Sequence, residues 1–186
     1  TLPMCAPISD GAAAAVLCSA AGLKRLKGDS SRAIRLLASV VRSSSDRSFD
    51  DFENHLTALA AKDAYEKSGV APTDIDVAEV HDATAMGEII QAENLQLAPY
   101  GGAGWAAEAG EFTVGGRIPI NPSGGLESKG HPIGATGIGQ VYELVTQLRG
   151  EAGKRQVENA QIAIQENGGG IYGVEEATAV VNIFSK

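Results

Sequence analysis

The sequence predicts an α/β layered domain built on a mostly buried sheet, and three observations carry that prediction. Short aliphatic runs of strand length alternate along the chain with segments whose apolar residues recur at helical spacing. Of the 186 residues, 44% are hydrophobic and 20% charged, the balance of a folded globular chain of one-domain size. The 23 glycines are not spread evenly but gather in the segments between the periodic elements, where the backbone must turn sharply or approach a neighbour closely.

Taken in order, residues 12–18 form a short apolar run suited to a buried strand, and residues 19–28 carry Leu23 and Leu26 at helical spacing. Residues 34–41 are rich in aliphatics and read as a second strand, followed by a polar, turn-prone stretch over 43–51. Leu56, Leu59, Ala60 and Ala64 mark one face of a helix that stops near Gly69-Val70-Ala71-Pro72. Residues 75–80 make a strand that ends at His81, and Met86, Ile89, Ile90 and Leu97 continue in helical phase after it. Residues 99–119 form a Gly-rich connection, of a length that is usually functional or mobile. Ile138, Val141, Leu144, Val145 and Leu148 define a helix beginning after Gly134-Ala135. Residues 160–165 and 178–184 read as two strands flanking a turn over 168–173.

Charge and cysteine content narrow the function. The formal net charge is −8 with no run of like charges, which argues against a nucleic-acid footprint or a polybasic membrane patch. Cys5 and Cys18 are the only cysteines and lack the spacing of a zinc site or a disulfide framework, so no metal is expected and a reducing cytoplasm fits best. No apolar stretch is long enough to span a membrane, and the apolar start is broken by Pro3, Pro7 and Asp10. The chain opens at Thr1 on strand-like sequence, which reads as a fragment, or as a subunit whose other half is elsewhere.

Ligand crevices in α/β sheets lie at the carboxyl ends of strands, and His81, the His131 loop and Glu166 are expected at strand ends or helix starts, where they can converge. In the segment from Ser128 to Gly137, Pro132 fixes the backbone, the glycines permit close approach, and the helix that follows turns its free amides toward the same place. An anion or a developing oxyanion is stabilised at such a point. Gly134, Gly137 and Gly139 do not match a dinucleotide fingerprint preceded by a strand.

The residues His81-Asp82, Glu88-Ile89-Ile90 with Glu93, and Asn121 through Gly139, with Ser9-Asp10-Gly11-Ala12-Ala13-Ala14 near the start, resemble thiolases of the sterol-carrier-protein type, in the right order and over nearly the whole chain. The resemblance implies a five-layered α-β-α-β-α fold of two similar halves, of which residues 1–186 are the C-terminal βαβαβαββ half with a mixed sheet. The nucleophilic cysteine belongs to the N-terminal half; neither Cys5 nor Cys18 occupies a position resembling it. His131 resembles the histidine that activates the nucleophilic thiol and donates toward the thioester oxygen, and His81 the group completing a second oxyanion hole. Gly130, Pro132, Ser123 and Gly168 are the expected acyl-CoA contacts.

Two departures bear on the chemistry. In this branch the residue after His-Asp is usually a cysteine acting as the second acid/base and is Ala83 here; in ordinary thiolases that cysteine lies two residues before a glycine in the last loop, a position matched by Glu166 in Glu166-Asn167-Gly168. A carboxyl in a desolvated cleft can serve as proton carrier, so Glu166 is either that carrier or a solvated strand-end carboxylate. Tyr172 is expected to pack rather than react.

The activity implied is thiolase-type acyltransfer: cleavage of a bulky 3-ketoacyl-CoA with coenzyme A as co-substrate and no covalently bound cofactor. The alternatives are a retro-aldol lyase acting on a 3-hydroxyacyl-CoA side chain, which retention of both histidines disfavours, and a non-catalytic scaffold subunit. Relatives of this kind are homodimers, and several pair with a small zinc-ribbon/OB-fold protein.

Overall fold

In the computed structural model, which describes residues 1–26 and 30–186, the expected strand at residues 12–18 does not form. This segment is exposed and without regular structure, with Val16 and Leu17 in solvent. Four of its residues are alanines, which are poor strand formers and bury little apolar area, and the run finds no strand to pair with among the described residues. The short helix α1 (Ala20–Leu23) follows, capped by the Ser19 side chain, which accepts from Gly22 N at 3.0 Å. The end of the expected 19–28 segment lies outside the described residues.

The remaining strands form one mixed sheet. β1 (Arg35–Ser43) lies at its edge, β2 (Val77–Glu79) at the other side, with β3 (Ile162–Gly169) and β4 (Thr178–Ser185) between, in the order β1-β4-β3-β2. β1 pairs antiparallel with β4, β4 antiparallel with β3, and β3 parallel with β2. A further parallel bridge joins Ala78 to Ile120 beyond β2.

Helices cover both faces. α2 (Leu56–Ser68) packs over β1 and β4 and ends at Gly69, where the sequence places the helix stop; its φ of 70° makes a left-handed cap. Its Ala60, Ala61 and Ala64 are fully buried and let the helix sit close to Ala38, Val40, Val181 and Ile183. α6 (Thr136–Arg149) packs over β3 and β2, with Leu144 and Leu148 against Val77, Ala163 and Phe184. Between them run α3 (Ala85–Asn94), α4 (Ala103–Glu108) and α5 (Gly125–Lys129).

The Gly-rich 99–119 connection contains α4 and buries Phe112 and Ile118, with Ile118 N donating to Glu111 O at 3.0 Å and Ile120 N to Phe112 O at 3.0 Å. Its own apolar side chains fill it, as in compact Ω-type loops. In α3 the inward face is Gln91, Ala92 and Asn94 rather than Met86 and Ile90, which are 61% and 41% exposed. Polar residues turn inward there because polar groups behind the helix need amide partners: Gln91 donates to Glu176 and Asn94 faces His55. No described helix is long and apolar enough to cross a membrane.

Candidate active site

Two loops bring the histidines together. β2 delivers His81 at its end, and Thr84 caps α3 three residues later by accepting from Gly87 N at 3.0 Å. His131 sits between α5 and α6, held by the N-terminal segment: His131 N donates to Pro7 O at 2.8 Å, and Ser9 N to His131 O at 3.4 Å. Ser9 lies directly against Gly130, whose φ of 89° no L side chain readily adopts.

The two imidazoles meet edge to face, with centroids 5.0 Å apart and Nε2 atoms at 3.3 Å. His131 Nδ1 is 2.7 Å from Thr136 Oγ1, and that hydroxyl donates to Pro132 O at 3.2 Å. With the Thr136 proton so committed, His131 Nδ1 donates to Thr136 and His131 Nε2 is left as an acceptor, toward which His81 Nε2 donates. Burial, with His131 nearby, pushes the His81 pKa down to about 4, and burial lowers that of His131. Both rings are neutral near pH 7, the state a general base requires.

Asp82 is a structural partner of this pair. Its Oδ1 accepts from Leu126 N at 2.7 Å and its Oδ2 from Glu127 N at 3.3 Å, so it satisfies the free amides of α5. Only a glycine fits at Gly125, which has a φ of 61° and where a Cβ would lie 2.1 Å from Asp82 Oδ2. His81-Asp82 and Gly124-Gly125 are therefore two sides of one contact.

Glu166 is neither at a strand end nor solvated. It lies within β3, fully buried, its Oε2 accepting from His81 N at 3.0 Å and its Oε1 without a partner among the described residues. Burial is the main cause, and neighbouring Glu176 and Asp82 add to it, in pushing its pKa up to about 8. Gln140 on α6 fixes the strand at this point, donating to Glu166 O at 3.0 Å and accepting from Gln165 and Asn167.

The expected acyl-CoA contacts divide. Gly130, Pro132 and Ser123 line a cavity of about 450 Å³ together with Ser9, Lys129 and Arg155. Gly168 does not reach it; it lies against the Glu176 side chain. Ser123 also holds the buried Glu79, donating from N at 3.1 Å and from Oγ at 2.8 Å; burial pushes the Glu79 pKa up to about 7. Cys5 and Cys18 are both exposed, and Tyr172 is 53% exposed with its hydroxyl 3.4 Å from Asp46 Oδ1, so it does not pack as expected.

Thr136 and Pro7 were not singled out from the sequence. Thr136 carried a signal, a hydroxyl five positions after His131 at the start of a helix; a backbone carbonyl such as that of Pro7 carries none.

The sequence profile described as thiolase C-terminal domain-like matches residues 38–183. Sterol carrier protein 2 of Homo sapiens is 46% identical over 175 residues, covering 90% of this chain and 31% of that protein. An acetyl-CoA acetyltransferase of Methanothermobacter thermautotrophicus is 44% identical over 183 residues, covering 98% of this chain and 46% of its own length. The chain thus spans less than half the length of these relatives. Among solved structures, an Ltp2-ChsH2(DUF35) aldolase superposes with a TM-score of 0.66 at 20% identity, over 80% of this chain and 39% of that one, a likeness of fold.

Proposed function

The chain belongs to the thiolase C-terminal domain-like family, and from that membership we propose that it forms the C-terminal half of an acyl-CoA C-acyltransferase that cleaves a bulky 3-ketoacyl-CoA with coenzyme A. The observation that carries the reading is the His81–His131 pair, neutral and ordered by Thr136, in which His131 Nε2 is unprotonated and, now accepting from His81, can take a proton. An N-terminal half supplies the cysteine nucleophile, and the enzyme acts as a homodimer.

In this reading His131 Nε2 takes the proton of the nucleophilic thiol, whose thiolate attacks the 3-keto carbon. The imidazole N–H groups then face the oxygens on which charge develops. The bond between the α- and β-carbons breaks, and Glu166, protonated near neutral pH, gives its proton to the α-carbon of the departing enolate. Coenzyme A enters along the cavity walled by Gly130, Pro132 and Ser123; Glu166 takes the proton from its thiol, and the thiolate displaces the acyl group from the enzyme. Burial of Glu166 and the unpartnered Oε1 support the acid/base role, because a carboxyl held protonated has a proton to give.

Mass spectrometry of the intact enzyme, incubated with a 3-ketoacyl-CoA in the absence of free coenzyme A, tests the reading. A covalent acyl adduct that disappears on adding coenzyme A is expected. Cleavage of a 3-hydroxyacyl-CoA with no adduct would establish the retro-aldol alternative instead, and no turnover of either ester would leave a scaffold.

A further inference from the structure

A second carboxyl group stands behind the one assigned to proton transfer. Glu166 and Gly168 point to the same face of β3, because strand side chains alternate. A Cβ on Gly168 would lie 2.7 Å from Glu176 Cγ and 3.2 Å from both its Cδ and its Oε1. The side chain of Glu176 therefore fills the place next to Glu166 that any residue other than glycine at 168 would claim.

The partners of Glu176 are uncharged. Its Oε1 accepts from Gln91 Nε2 at 2.9 Å; its Oε2, like Glu166 Oε1, is buried without a hydrogen-bond partner among the described residues. His55 Nε2 lies 3.8 Å from that second oxygen. His55 Nδ1 accepts from Thr57 N at 3.1 Å and faces the Asn94 amide at 3.2 Å, so the ring carries its proton on Nε2. Burial lowers the His55 pKa and outweighs the pull of Glu176, which keeps the ring neutral. Arg47 is committed to Glu175 at 2.6 Å, with side chains 5% and 0% exposed. Among the described residues, the ionisable groups facing the Glu166–Glu176 pair are His81, whose N donates to Glu166 and whose ring is neutral, Asp82 beside it, His55 from the start of α2, and the mutually neutralised Arg47 and Glu175.

We propose that Glu176 is a positioning residue for proton transfer: its carboxylate, set against Glu166 with no cation to offset it, holds Glu166 in the protonated form. This rests on the acid/base reading of Glu166. Over one turnover Glu166 loses a proton to the α-carbon of the enolate and regains one from the thiol of coenzyme A, while Glu176 exchanges none. Glycine at 168 admits the second carboxyl, and Gln91 and neutral His55 orient it without cancelling its charge.

The test is the pH profile of kcat/KM for thiolytic cleavage by the intact enzyme, for the parent, Glu176→Gln and Glu166→Gln. In Glu176→Gln the limb governed by Glu166 moves to lower pH by about one unit, since an uncharged amide no longer opposes ionisation. An equal loss of rate at every pH, with the limb in place, would make Glu176 merely structural and overturn the inference. Should Glu176→Gln not fold, Glu176→Asp decides, because it keeps the charge but withdraws it from Glu166 by one methylene: the limb should move in the same direction by a smaller step. A limb that stays in place overturns the inference. If Glu166→Gln keeps parental turnover, the acid/base reading itself fails; if that variant is inactive but the limb does not move in Glu176→Gln, only the role of Glu176 fails.

Discussion

The Nε2 atoms of His81 and His131, fifty positions apart in the chain, stand 3.3 Å from one another. Because Thr136 orients one ring and that ring orients the other, the two act as one unit. Replacing His131 with Ala should lower kcat by about 100- to 10,000-fold, the usual worth of a positioned general base. The His81→Ala, His131→Ala double variant should be little worse than the poorer single one, as groups acting together are strongly non-additive. Steady-state kinetics of the three variants checks this; multiplicative losses would mean that the rings act independently.

Asp82 and Gly125 supply a prediction about stability. Asp82→Ala leaves amides of α5 without their acceptor and should cost about 1–2 kcal/mol. Gly125→Ala should cost more, since its Cβ meets Asp82 Oδ2 at 2.1 Å in a backbone conformation with φ of 61°. Urea unfolding of the intact enzyme measures both. Because the clash is with Asp82 itself, the double variant should recover part of the Gly125→Ala loss.

The buried pair of Arg47 and Glu175 ties the loop after β3 to the start of α2. Glu175 also accepts from Leu56 N at 3.0 Å and Ser45 N at 2.8 Å. Glu175→Ala strands the Arg47 guanidinium and should destabilise by roughly 3–5 kcal/mol. A thermal melt close to that of the parent would contradict the burial described.

Glu166 and His81 shape the dependence of stability on pH in opposite senses. Between pH 4.5 and about 8 folded Glu166 keeps a proton that the unfolded chain has lost, so its contribution is full at low pH and disappears as pH rises through about 8. His81, with its pKa pushed from 6.5 to about 4, contributes above pH 6.5 and loses that contribution as pH falls toward 4. In Glu166→Gln the alkaline decline should flatten, giving a gain on the order of a few kcal/mol over the parent at pH 9 relative to pH 5. Glu79 and Glu88, each with a pKa pushed up to about 7 mainly by burial, preserve part of the slope. Melting temperature across pH 5–9 measures it.

Much of this was legible in the sequence wherever a residue's role depends on its local chain. The helix stop at Gly69, the strand leading to His81 and the helix after Gly134-Ala135 follow from periodicity and glycine chemistry. The strand at 12–18 misled because apolarity specifies burial only when a partner strand exists. Met86 and Ile90 misled because α3 turns Gln91 and Asn94 toward Glu176 and His55, a demand set by residues distant in the chain. Glu166 was legible as a departure from the family pattern, but its burial, and Gly168 lying against Glu176, depend on how β3 and β4 pair. Position in a sequence does not encode that contact.

The decisive measurement is CoA-dependent cleavage of a bulky 3-ketoacyl-CoA by the intact enzyme, compared with its His131→Ala variant. Two acyl-CoA products that form only when coenzyme A is supplied are expected, with the loss of both in the variant. Cleavage that proceeds without coenzyme A, or that survives the loss of His131, would contradict the proposed function.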